Sequence, residues 1–300
     1  MRALRTPAER FTDLPGFAYR PHFVEVSDDL RVAYVADGPD DGQPVLLLHG
    51  EPTWSFLYRK VIPILAAAGF RAIAPDLVGF GRSDKPVDVA EHTFARHVAW
   101  VRALAFQALD LTGVTLVGQD WGGLIGLRLV AEQPQRFARV VAANTGLPTG
   151  TQTMPEEWLR FRQAVRTAPR LDIARLINAG CRTPLVPEVL AAYDAPFPDE
   201  TFKAGPRAMP DLVPTSLDDP ASAANIAAWQ RLSELDIPFL VAFSDGDPIT
   251  GPMAPVLRRA MPGAANVAHP TITGAGHFLQ EDAGEQLAEA IVTFMRHHPS

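Results

Sequence analysis

Cys181 is the only cysteine among 300 residues. One thiol closes no internal disulfide and brings no thiolate cluster to a metal, which excludes a disulfide-stapled scaffold and leads us to expect a reducing, cytoplasmic compartment. Apolar runs are short as well. None reaches the roughly 18 residues a membrane span requires, and the N-terminal MRALRTPAERFTDLPG lacks the apolar stretch of a secretion signal. Basic residues are outnumbered, 27 against 34 acidic ones for a net charge of -7, and form no concentrated run. Nucleic acid and anionic membrane are therefore not expected as partners. Internal repeats and low-complexity tracts are missing too.

What the chain does have is 47% hydrophobic residues, enough for one large core or a core with a smaller module. Short apolar, β-branched runs recur at His22 to Val26, Arg31 to Val35, Val45 to Leu48, Arg71 to Ala74, Val114 to Val117, Arg139 to Ala143, Phe239 to Phe243 and Val267 to Ile272. From the third onward they alternate with helical patterns at about Ser55 to Ala68, Thr93 to Leu109, Gly122 to Glu132, Pro252 to Ala260 and Ala283 to Met295. This alternation predicts an α/β protein with a mostly parallel sheet, its first two strands pairing as an antiparallel edge. The rhythm stops between Ala143 and Phe239, where helical pattern is broken by prolines but carries its own apolar residues. We expect a helical cap over residues 148–218, inserted into a core of residues 1–147 and 219–300.

Gly118-Gln119-Asp120-Trp121-Gly122-Gly123 follows one such strand and opens a helix. This is the setting of a nucleophile elbow, a sharp strand-to-helix turn flanked by small residues. The middle residue is Asp120, and no G-x-S-x-G occurs in the chain, so esterase and lipase chemistry lacks its nucleophile. A carboxylate can instead displace a leaving group from an sp³ carbon, giving an alkyl ester that water opens. The competing role for Asp120 is to cap the helix that begins after it.

Opening the ester needs a base, and Gly274-Ala275-Gly276-His277-Phe278 supplies His277 in a glycine-rich loop after the last strand. An acid must orient the imidazole. Ser244-Asp245-Gly246-Asp247-Pro248 holds two candidates: Asp247 is preferred, being deeper in the loop, and Asp245 beside Gly246 reads as a turn residue. The oxyanion that forms on Asp120 needs N–H donors. Glu51, in His49-Gly50-Glu51-Pro52 after a strand, and Trp121, next to the nucleophile, are the expected pair. His49 is expected to hold that loop by a hydrogen bond.

Together HGEPTWSFLYRK, APDLVGFGRSDKP, GQDWGG, SDGDPITGP and GAGHFLQED resemble the haloalkane dehalogenases of the α/β-hydrolase superfamily, in the branch whose acid follows the strand after the cap. The resemblance spans about residues 20–285. It implies an α/β-hydrolase fold with an eight-stranded sheet and a helical cap, no cofactor and no metal, and hydrolysis of a small halogenated alkane with water to alcohol, halide and proton. It also gives Glu51 a part in positioning the hydrolytic water.

A leaving halide needs a donor that does not react, and an indole N–H is one. Trp121 can aim such a donor, and the resemblance makes Trp158 in the cap the second. Taken alone, Trp158, Phe161 and Val165 form an apolar stripe at helical spacing that would pack the cap on the core. Trp54, Trp100 and Trp229 read as packing. Glu51 would repel a halide if ionised.

Two other functions compete. Epoxide hydrolases use the same triad with a pair of cap tyrosines, whereas of Tyr19, Tyr34, Tyr58 and Tyr193 only Tyr193 lies in the expected cap. A non-catalytic receptor on this fold would be expected to have lost triad residues, and all three are present. A monomer is the default expectation.

Overall fold

The structure, a computed structural model, describes residues 1–27 and 30–299. Nine strands occur among them: β1 (Ala3–Leu4), β2 (His22–Ser27), β3 (Leu30–Asp37), β4 (Pro44–Leu48), β5 (Arg71–Pro75), β6 (Lys85–Pro86), β7 (Val114–Gln119), β8 (Phe137–Ala143) and β9 (Phe239–Val241). Seven of them form the main sheet in the order β2-β3-β5-β4-β7-β8-β9, and β1 pairs with β6 apart from it. β2 and β3 are antiparallel, as expected, and β3 is also antiparallel to β5. From β5 across to β9 every pairing is parallel.

The eighth strand expected at Val267 to Ile272 does not form. It is reduced to an isolated bridge between Ser244 and Ile272. Pro270 has no N–H to give to a ladder, and His269 turns its Nδ1 to the N–H of Val241 at 3.2 Å, taking the donor a neighbouring strand would need.

Helices α1 (Ile62–Ala67), α2 (Phe94–Arg102) and α3 (Trp121–Glu132) follow β4, β6 and β7, and α8 (Ser222–Leu232), α9 (Met253–Ala260) and α10 (Leu279–His297) complete the surround. α1 packs on α10, while α2 and α8 pack on α3. The single helix expected over Ser55 to Ala68 is two pieces, a 3-10 turn at Ser55–Tyr58 and α1, because Pro63 starts a new helix more readily than it continues one. Likewise α10 begins four residues before Ala283, which breaks its helical geometry at φ -144° and ψ 44°.

Between β8 and α8 lie α4 (Glu156–Thr167), α5 (Ile173–Gly180), α6 (Pro187–Asp194) and α7 (Ala204–Leu212). Most prolines of this segment stand at helix ends, where a missing N–H costs little; Pro210 is the one inside a helix.

The core is one large cluster spanning the sheet and its helices, with a smaller one of Leu30, Val32, Val78, Trp100 and Leu104 beside it. β4 and β7 are buried almost throughout, as both faces of a parallel sheet must be. From β4 the chain passes to β5 on one side and comes back on the other as β7. The crevice between the carboxyl ends of β4 and β7 is where such a sheet receives a ligand. Among the described residues no helix is long and apolar enough to cross a membrane.

Candidate active site

β7 ends at Gln119 and α3 starts at Trp121, so Asp120 alone makes the turn, at φ 49° and ψ -126°. Few non-glycine residues hold a positive φ, and the strain persists where surroundings impose it. Here the Asp120 N–H donates to the Asn144 carbonyl at 3.0 Å and its own carbonyl accepts from Thr145 Oγ1 at 2.7 Å. The turn also needs glycine at Gly122, where a Cβ would lie 2.0 Å from the Leu48 carbonyl oxygen. The carboxylate does not cap α3. Instead Oδ1 accepts the Glu51 N–H at 2.8 Å, which turns the side chain toward the loop after β4.

That loop reaches Asp120 because Gly50 has no side chain; a Cβ there would sit 2.2 Å from Asp120 Oδ1. His49 holds this loop, as expected. Its Nε2 accepts the Leu77 N–H at 2.9 Å and its Nδ1 lies 2.9 Å from the Gly50 carbonyl, so the proton sits on Nδ1. Burial lowers the His49 pKa against the pull of Asp76, keeping the ring neutral. Trp121, as first residue of α3, presents an N–H that the helix itself leaves unpaired.

Glu51 is buried, and its Oε1 has no partner among the described residues. Burial, and then the charge of Asp120, push its pKa well above the carboxylate range. That direction favours the neutral acid over the carboxylate, the form that would not repel an anion in the pocket.

His277 stands between two carboxylates. Its Nε2 is 3.5 Å from Asp120 Oδ2 and its Nδ1 is 3.0 Å from Asp247 Oδ2. Burial works against the imidazolium, but the charge of Asp247 and hydrogen bonds with Asp120 and Asp247 outweigh it and raise the pKa to about 10. Asp247 also accepts the Ile249 N–H at 2.8 Å and the Thr250 hydroxyl. Burial would raise its pKa, yet His277 and these donors lower it. Asp245 acts elsewhere, its carboxylate accepting the N–H groups of Gly274 and Ala275 at 3.1 and 3.2 Å and so shaping the loop that carries His277.

Two further residues of the site were given no role above: Asn144, outside every quoted motif, and Gln119, inside the motif that carries Asp120. Asn144, in left-handed geometry at φ 42°, donates from Nδ2 to Ser244 Oγ and to the carbonyls of Gly276 and His277 at 2.9 to 3.0 Å. Gln119 Nε2 donates to the His277 carbonyl at 3.2 Å. An Asn directly after a strand, able to adopt left-handed geometry, was the available signal for the first; for the second it was its place directly before Asp120.

A cavity of about 650 Å³ opens over Asp120, with Trp121, Trp158, His277 and Glu51 in its wall. Trp54, Trp100 and Trp229 spend their indole N–H on Ala192 O, Ser27 Oγ and Leu147 O at 3.1, 3.2 and 2.6 Å, in keeping with packing. Among the described residues the indoles of Trp121 and Trp158 alone have no acceptor. Trp158 comes from α4, where the Arg162 guanidinium covers its ring at 5.3 Å. Tyr193 is absent from the cavity wall and gives its hydroxyl to Glu281, so it offers no proton to a bound epoxide.

A strained strand-to-helix turn bearing Asp120 at the carboxyl end of a parallel sheet, faced by a His and an acid from later loops, is the arrangement of an α/β hydrolase. Residues 43–284 match the model of the α/β-hydrolase fold family. The chain is 51% identical to the haloalkane dehalogenase of Psychrobacter cryohalolentis, with all of both chains covered, and 49% identical to that of Mycobacterium marinum, covering 98% of this chain and 100% of the relative. The tetrameric haloalkane dehalogenase DpaA from Paraglaciecola agarilytica NO2 superimposes with a TM-score of 0.88 at 36% identity, covering 96% of this chain and 97% of that one. Within the α/β hydrolases, the chain belongs to the haloalkane dehalogenase family.

Proposed function

We propose that this chain hydrolyses haloalkanes to alcohol, halide and a proton, with Asp120, His277 and Asp247 as its triad. The observation that carries the reading is the state of Asp120: its carboxylate is turned away from helix capping, held by the Glu51 N–H and faced by His277. In the first step Asp120 attacks the halogen-bearing carbon, the carbon–halogen bond breaks, and the halide leaves toward the N–H groups of Trp121 and Trp158. Asp120 becomes a neutral alkyl ester, so the charge and hydrogen bond with which it raises the His277 pKa are lost. His277, still paired with Asp247, gives its proton to solvent, where it is the proton the overall reaction yields, and then serves as base.

In the second step His277 takes a proton from water, whose oxygen attacks the Asp120 carboxyl carbon. Negative charge develops on the carboxyl oxygen facing the N–H groups of Glu51 and Trp121. Asp247 stabilises the imidazolium, and the neutral Glu51 acid helps position the water. The tetrahedral intermediate then collapses: His277 returns its proton to the leaving alkoxide as the ester C–O bond breaks, and the proton left on the Asp120 carboxyl group passes to His277, giving alcohol, carboxylate and imidazolium.

Residues 148–218 act as the cap, bringing Trp158 over the nucleophile. The lone cysteine fits a cytoplasmic enzyme. Sedimentation of the pure chain separates the monomer expected here from a tetramer like DpaA. The central test is bromide and proton release from 1,2-dibromoethane. Sustained turnover is the expected result, and a folded chain that releases neither would refute the reading. Turnover of an epoxide without halide release would favour the rival hydrolase.

A further inference from the structure

The imidazole of His277 is aligned through its backbone, and the backbone is gripped from two sides. On the core side Asn144 and Gln119 hold the His277 carbonyl. On the other side stands the corner after α5. There the Gly180 carbonyl accepts the N–H groups of His277 and Phe278 at 2.8 and 3.4 Å. A side chain on Gly276 would come within 2.4 Å of that same carbonyl, so the loop and the corner are in direct backbone contact.

Asp282 completes this grip. One carboxylate oxygen accepts the Gly276 N–H at 2.9 Å and the Arg182 N–H at 2.8 Å, and the other accepts the Thr183 N–H at 2.9 Å. It lies in the short turn between His277 and the break of α10 at Ala283. Its neighbour Glu281 fixes that turn from the opposite direction, pairing with Arg59 through both oxygens and accepting the Tyr193 hydroxyl from α6. Two consecutive acids therefore connect the loop of the base to α5, α6 and the segment after β4.

We infer that Asp282 is a positioning residue for the second step: by tying Gly276 to the Arg182–Thr183 corner it sets the aim of the His277 imidazole at the hydrolytic water. The inference rests on the proposed role of His277 as the base. Displacement of halide by Asp120 transfers no proton, so it does not depend on that aim. Ester opening does, because misplacing a reacting group by about 1 Å costs on the order of 100-fold in rate. Asp282→Asn keeps the shape but presents an amide NH₂ to backbone N–H groups, which pushes the corner and the loop apart.

The test follows both steps in the full chain with 1,2-dibromoethane, by rapid-quench halide release and intact-mass detection of the alkyl-enzyme. For Asp282→Asn we expect halide release in the first turnover at the parent rate, steady-state turnover lower by about 10- to 100-fold, and a standing population of alkylated protein. Asp282→Glu, which keeps both oxygens and the charge on a longer stem, should show the same pattern less strongly, and carries the comparison if the Asn variant does not fold. Equal loss in both steps means a merely structural role and overturns the inference, as does parent-like turnover without alkyl-enzyme. A parent that releases no halide at all overturns the proposed function instead.

Discussion

His277 Nδ1 lies 3.0 Å from Asp247 Oδ2, while Asp245, two residues earlier, turns its carboxylate to the backbone of Gly274 and Ala275. One acid holds the ring and the other holds the loop. Asp247→Asn should therefore lower kcat by about 10³-fold or more, since the amide no longer fixes the Nδ1–H form or offsets the imidazolium. Asp245→Asn should leave kcat within about tenfold of the parent. Steady-state halide release separates the two; equal losses would mean that the roles are misassigned.

His277→Phe divides the reaction. Attack by Asp120 needs no base, and opening the ester does, so the variant should release about one halide per protein and stop. Intact mass should show the added alkyl group, and peptide mapping should place it within Gly118 to Gly123. Asp120→Ala should give neither burst nor adduct. An adduct on another residue would contradict the mechanism.

The charge of His277 also bears on stability. Its folded pKa of about 10 stands above the ordinary 6.5, so the folded state binds this proton more tightly than the unfolded chain does. The resulting stabilisation is complete below pH 6.5 and is lost as pH rises through about 10. The Tm advantage of the parent over His277→Phe should accordingly shrink across that interval, as scanning calorimetry at stepped pH would reveal. A constant difference would show that the imidazole is neutral in the folded protein.

Features written as local pattern are legible in the amino-acid sequence itself. Val114 to Val117 with the glycines after it announces both a buried strand and the turn at Asp120, because a parallel strand needs continuous apolar residues and the elbow needs small neighbours. Asp247 stands deeper in its loop than Asp245, next to Pro248, and it is Asp247 whose carboxylate meets the His277 ring. Long-range contacts leave no such trace. The missing eighth strand depends on where His269 sends its ring, and the Arg59, Tyr193 and Glu281 cluster joins residues that no spacing rule connects.

Trp158 distinguishes packing from chemistry most directly. It lies on the apolar side of α4 with Phe161 and Val165, as a packing residue would, and it is 7% exposed. Yet its indole N–H has no acceptor among the described residues and the ring lines the cavity over Asp120. Phenylalanine fills much of the same space without the N–H, so Trp158→Phe removes the donor and spares most of the packing. Loss of a hydrogen bond to a charged partner, about 1.5–3 kcal/mol, should weaken bromide binding by about 10- to 100-fold, with slower bond cleavage. Tm should stay within about 4 °C of the parent. Bromide affinity read from product inhibition decides the matter, since a role confined to packing predicts unchanged inhibition. Trp121→Phe should weaken bromide in the same direction, because the second unpaired indole adjoins Asp120 itself.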